Sequence, residues 1–226
     1  MPSLHESYAE IRTAIKSGLG SIPLSTHQPG NPFSAIITAL LSRTRAEKQA
    51  REIFNSLFEA GFGSPEAIAG ASVAELVEAS SKSVSPKTLK PLVQVCKQII
   101  EWGGLEALED IATESLRDDL LKIPGLGPAS VDAVLLDGLN RPVYPVDRAT
   151  YRILVRHGWL DTSNGYEEAR DVVEALEPGD AVRLSELATW FSRIGEVYCK
   201  ASVAKCERCP MKPFLPESGP IEPDAE

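Results

Sequence analysis

At 226 residues, with 43% hydrophobic and 24% charged side chains, the chain can build one large or two small well-filled cores and has the composition of an ordinary globular protein. It holds no run of about eighteen apolar residues, and no basic segment followed by an apolar one opens it, so neither a membrane span nor a secretory signal is expected and the expected compartment is cytoplasmic. A net charge of −9 and an isoelectric point near 5.0 argue against an extended basic groove, so a nucleic-acid partner would have to be held by a local patch and backbone donors.

Taken along the chain, apolar residues recur with helical period over 4–17, 33–57, 65–69, 73–80, 87–102, 106–111, 113–121, 129–139, 148–157, 165–175 and 181–198. Strand-like alternation is nearly absent, so the expected class is all-α. Helix starts are signalled at Asn31-Pro32 and Ser64-Pro65, and at Ser72 with Glu75 three residues on as a capping box. His157 followed by Gly158 reads as a helix end closing on glycine, and Trp159 and Trp190 read as core aromatics. From Pro210 the tail is rich in proline and glutamate, with 217–226 expected to be loosely ordered.

Three segments carry chemistry. In Leu121-Lys122-Ile123-Pro124-Gly125-Leu126-Gly127-Pro128-Ala129-Ser130, an apolar helix end runs into Pro-Gly-x-Gly and a second helix begins at once. Gly125 and Gly127 can take positive φ and carry no side chain, so a phosphate can approach the backbone in front of a helix N-terminus. This is the layout of a helix-hairpin-helix. Next, Pro142 and Pro145 enforce an extended loop that ends on Asp147, well placed to cap the following helix. Finally, Cys199, Cys206 and Cys209 are spaced C-x6-C-x2-C, whereas Cys96 lies in an apolar helix and reads as core. Four cysteines so distributed do not suggest a disulfide framework.

Hairpin, Gly/Pro loop and helix-starting aspartate, in that order, resemble the helix-hairpin-helix DNA glycosylase superfamily, most closely its endonuclease III branch, over roughly residues 4–216. The resemblance implies a helical barrel over 25–140, with the hairpin at about 113–139, and a second, discontinuous helical domain from 1–24 and 141–216 that carries the cysteine loop. It implies that Asp147 is catalytic, against the plainer reading as a cap alone. Gly125, Leu126, Gly127, Ala129 and Ser130 would meet the DNA backbone. Arg43, Thr44 and Arg45 occupy the turn that probes the duplex in relatives, where a guanidinium can bond an orphaned base or a phosphate; otherwise they are solvated charges. Ser83-Val84-Ser85-Pro86-Lys87 matches the wedge loop, with Val84 a weak wedge and Lys87 suited to phosphate. Tyr144 could stack on a base or sugar, or be half-buried packing, and His27 could reach the same pocket.

Two departures matter. Bifunctional relatives carry a nucleophilic lysine where this chain has Ala129, and alanine cannot form a Schiff base. Lys122, one helix turn before the hairpin, reads as a surface charge or a displaced nucleophile. In the family a fourth cysteine follows Cys209 and completes a [4Fe-4S] cluster; here Leu215 stands in its place. Three thiolates could hold a cluster with one iron open, or zinc with a water or histidine, or the cysteines could be remnants. The expectation is a monomeric, monofunctional glycosylase of base excision repair that hydrolyses the bond to a flipped damaged or mismatched base in double-stranded DNA, nucleoid-associated when bound, with a [4Fe-4S] cluster on Cys199, Cys206 and Cys209. The alternative is a catalytically silent DNA-binding relative.

Overall fold

A computed structural model describes residues 3–19, 32–42, 47–81 and 84–222, and the side chain of Glu47 is outside the description. His27, Arg43, Thr44 and Arg45 lie outside the described residues. Eleven α-helices are present among the described residues: α1 (Leu4–Leu19), α2 (Pro32–Ser42), α3 (Glu47–Glu59), α4 (Pro65–Gly70), α5 (Val73–Ala79), α6 (Pro86–Glu101), α7 (Thr113–Leu121), α8 (Pro128–Ala133), α9 (Arg148–Arg156), α10 (Tyr166–Glu174) and α11 (Ala181–Val197). No strand occurs among them; a lone bridge joins Cys199 and Ala204. The all-α class follows. Among the described residues no helix is long and apolar enough to cross a membrane.

Several of these helices begin where side chains satisfy their first N–H groups. Ser64 accepts from Ala67 N, and Ser72 and Glu75 form a reciprocal capping box. Asp180 caps α11 through Arg183 N at 2.9 Å. α9 closes in a Schellman turn: Gly158 takes φ +68°, its N–H reaches Val155 O, and Trp159 N reaches Leu154 O. His157 there is buried and stacks on Trp159 with ring centroids 4.5 Å apart. Burial lowers its pKa, against the opposing pull of two backbone carbonyls that face its ring nitrogens.

The chain divides into two compact units, one of residues 27–141 and one of 1–26 with 142–226. In the first, Phe33, Ile37 and Leu41 of α2 pack with Phe54 and Leu57 of α3 and with Leu89, Leu92 and Cys96 of α6. Burial pushes the Cys96 thiol up to about 12, as suits an inert core residue. Val84 belongs to the same core at 2% exposure, so it is not a wedge. After α8 the helix widens into one π turn, Val134–Gly138, where a Cβ on Gly138 would come within 3.1 Å of Ile36 Cα. The glycine lets this turn lie directly on α2.

The second unit gathers α1, α9, α10 and α11. Tyr8 of α1 donates to Glu177 at 2.8 Å, and Arg12 pairs with Glu177 and Glu186 while lying over Trp190. The C-terminal segment is better anchored than its composition suggests. Ile221 N donates to Arg156 O at 3.0 Å, and Glu222 pairs with Arg156 at 2.8 Å, so the segment expected to loosen after Pro216 is tied as far as Glu222.

Between α7 and α8, Arg117 and Asp132 form a bidentate pair at 2.7 and 3.2 Å, with side chains 8% and 0% exposed. Removing one partner strands a buried charge. Asp132→Ala should therefore cost about 3 kcal/mol, while Arg117→Met with Asp132→Leu should recover most of it; chemical denaturation of the single and double variants measures both.

Candidate functional site

The hairpin turn joins α7 to α8 through residues 122–127. Gly125 is required twice over: its φ is +93°, and a Cβ would meet Pro91 Cγ of α6 at 2.9 Å. Gly127 differs from the expectation. Its backbone is extended (φ −99°, ψ 168°), it caps α8, and nothing lies within 4 Å of a Cβ built there. Any residue could adopt that backbone, so the open space beside it is what its missing side chain preserves. Leu126 N returns to Ile123 O at 3.1 Å, which closes the turn. Pro128 starts α8, Ala129 and Ser130 follow it, half-buried, and Ser130 N donates to Gly127 O at 2.9 Å. Lys122 is exposed and paired with Asp119 at 2.7 Å, and that partner holds it charged, which describes a surface ion pair and not an activated amine. Lys87 is exposed in the first turn of α6.

In the other unit, Asp147 is the N-cap of α9, and its Oδ1 accepts from Thr150 N at 2.6 Å. Its carboxylate is half-buried, and the second oxygen has no hydrogen-bond partner among the described residues. The loop before it is extended. Tyr144 N donates to Glu174 Oε1 at 2.7 Å, and Val146 N donates to the Tyr166 hydroxyl at 3.2 Å. Tyr144 itself is fully buried, with its hydroxyl 3.0 Å from Thr150 Oγ1. It therefore does not stack on a base; it is a core residue beneath the Asp147 cap. Glu174 and Tyr166 escaped the sequence reading, because a side chain that meets a backbone N–H twenty or thirty residues away leaves no local pattern.

Cys199, Cys206 and Cys209 line one small concavity with Arg156, His157 and Leu215, and its interior of about 10 Å³ has room for about one water molecule. Among the described residues no group of three or more histidine, cysteine or acidic side chains converges on a metal position. Leu215 offers no donor. Both His157 ring nitrogens face backbone carbonyls, Ile153 O at 2.8 Å and Met211 O at 3.3 Å. Burial pushes the Cys209 thiol up to about 11 and raises that of Cys206, and a bound cation would lower both. The residues present thus fall one donor short of the four-thiolate shell of a [4Fe-4S] cluster.

The loop is held instead by cations of α9. Arg156, with 3% of its side chain exposed, donates to Cys199 Sγ at 3.4 Å and Lys200 O at 2.8 Å. Arg152 grips Cys199 O through two nitrogens at 2.9 and 2.6 Å. The sequence did carry a signal for this pair: two arginines four apart share one helix face.

Comparison with known proteins gives a consistent family. The family model described as HhH-GPD superfamily base excision DNA repair protein matches residues 36–178. An endonuclease III of Thermotoga maritima is 27% identical over 82% of this chain and 83% of its own length. A solved non-covalent endonuclease III–DNA complex superposes with a TM-score of 0.73 at 20% identity, covering 96% of this chain and 97% of that one. A thermostable thymine-DNA glycosylase gives 0.69 at 19% identity, covering 92% and 94%.

Two outcomes follow from the geometry. Gly127→Val should fold normally and weaken binding to every duplex alike, because a backbone contact reads no sequence; fluorescence anisotropy on unrelated duplexes checks this, and unchanged affinity removes the turn from the interface. Arg156→Met should cost about 2–3 kcal/mol, as loss of hydrogen bonds from a charged group does, whereas Cys206→Ser should cost well under 1 kcal/mol as a solvent-side thiol substitution. Thermal melts with elemental iron analysis read both, and the reverse order of severity would mark a metal-held loop.

Proposed function

The chain belongs to the HhH-GPD superfamily of base excision DNA repair proteins, and within it we propose that this protein is a monofunctional DNA glycosylase acting on a damaged or mismatched base in double-stranded DNA. The observation that carries the reading is a contrast between two positions. Asp147 presents a carboxylate fixed at the start of α9, while Ala129 occupies the hairpin position where bifunctional relatives carry an amine.

The reaction follows from those residues. The glycosidic bond is hidden in the stacked duplex, so the base must be extruded before reaction. As the C1′–N bond lengthens, positive charge develops on the sugar, and the Asp147 carboxylate stabilises it and orients the attacking water. The water oxygen bonds to C1′, its proton leaves, and the base departs protonated, leaving an abasic site and an uncut strand. With alanine at 129 no imine forms on the hairpin, and Lys122 is engaged with Asp119.

Binding rests on the turn Gly125-Leu126-Gly127, with Ala129, Ser130 and Lys87 beside the same backbone, and on Arg43, Thr44 and Arg45 through the family resemblance. His27 as a pocket residue has that resemblance as its sole support. The protein acts as a monomer on the nucleoid. A chain of net charge −9 binds undamaged DNA weakly, so most affinity is realised on the flipped lesion. The cysteine loop takes no part in the chemical step.

A panel of duplexes carrying oxidised, deaminated, alkylated or mismatched bases, scored with and without alkali, tests the proposal. The expected result is excision of at least one base, with the strand intact until alkali is added. Asp147→Asn should slow excision by about a hundredfold or more while sparing duplex binding. A covalent adduct trapped by borohydride on abasic DNA would establish an amine nucleophile, and an Asn variant as fast as wild type would leave Asp147 a cap alone.

A further inference from the structure

We infer that Tyr166 and Glu174 of α10, with Tyr144 beneath the loop, are positioning residues that hold the Asp147 carboxylate for the reaction; this rests on the reading of Asp147 proposed above. Residues 143–147 belong to no helix, and two N–H groups of this loop, two residues apart, turn to one side. Those of Tyr144 and Val146 both point at α10. Glu174 Oε1 takes the first at 2.7 Å and Tyr166 Oη the second at 3.2 Å. The two acceptors stand near opposite ends of a nine-residue helix, so α10 does for this loop what a neighbouring strand would do in a sheet. Pro145 lies between the two donors and has no N–H of its own, so the loop offers this helix two donors and no third in between.

The ring of Tyr144 supplies a third hold. It is fully buried and its hydroxyl lies 3.0 Å from the hydroxyl of Thr150, a residue itself 1% exposed. The N–H of that same Thr150 donates to Asp147 Oδ1 at 2.6 Å. The carboxylate is thus fixed from ahead by a capped helix whose first turn is pinned by Tyr144, and from behind by a loop pinned to α10. Arg170, one turn before Glu174, lies 3.6 Å from its carboxylate, an i,i+4 ion pair along the helix.

For a bare N-cap these ties are excessive. Ser64 and Ser72 cap their helices with the cap bond itself and, at Ser72, its reciprocal partner. Only the Asp147 loop has two backbone donors met by side chains of a third element among the described residues. Placing a carboxylate to within a fraction of an ångström matters when it must face a charge that exists only in the transition state, since misplacement by about 1 Å can cost on the order of a hundredfold.

The test uses duplexes that need no identified lesion. One carries a pyrrolidine abasic analogue, whose ring nitrogen is cationic where the sugar charge develops, and the other carries the neutral tetrahydrofuran analogue. Wild-type protein should prefer the cationic duplex by about tenfold or more, as transition-state analogues are preferred, and Asp147→Asn should abolish the preference. Tyr166→Phe, which keeps the ring, and Glu174→Ala should each remove most of it while leaving affinity for the neutral duplex unchanged. Glu174→Gln, which keeps an acceptor oxygen, should restore it. Full preference in folded Tyr166→Phe and Glu174→Ala variants, with none in Asp147→Asn, overturns the positioning role and leaves the function standing. No preference in wild type, or one that Asp147→Asn retains, overturns the function and the inference with it.

Discussion

In a protein made of helices, every backbone N–H and C=O outside a helix has to find a partner of another kind. That constraint falls on three irregular stretches: the hairpin turn, the loop to Asp147 and the cysteine loop. Each meets it differently. The turn bonds within itself, the Asp147 loop borrows side chains of α10, and the cysteine loop is gripped by two arginines of α9. The surrounding helices are arranged so that those partners arrive in the right places.

The hairpin shows how few residues such a device needs. Gly125 makes the sharp reversal and lets the turn press on Pro91, and the buried Arg117–Asp132 pair spans the two helices it joins. A buried ion pair is a poor source of stability but has one best geometry, which suits a part that must present its backbone in a fixed pose. Lys122 is spent on Asp119, so the turn itself carries little free charge. On the proposed function, the hairpin of this chain of net charge −9 would grip DNA with backbone dipoles more than with cations.

The cysteine loop makes the complementary point. Three cysteines keep a recognisable spacing, yet the concavity they share is also lined by Leu215 and by Arg156, whose guanidinium reaches the sulfur and main chain of the loop and the carboxylate of Glu222. A buried guanidinium with several fixed donors can organise a loop much as a bound ion does, by being the one group to which all its acceptors must turn.

The all-α class, the helix starts and the hairpin were legible in the sequence because they are local. Period, caps and glycines act over three or four residues, and that is the range over which one chain segment constrains itself. Family membership was legible for the same reason, since the hairpin and the Pro-Val-Asp start of α9 are contiguous motifs. What the tertiary structure alone decided is non-local. Tyr144 and Val84 looked available for a ligand and are core residues. Gly127 looked conformationally special and is extended. Glu174 serves a backbone donor thirty residues earlier, and Arg156 serves a sulfur forty-three residues later. A sequence states which groups each residue brings; which of them are buried, and against what, is settled only when distant segments close on one another and exclude the water that would otherwise satisfy them.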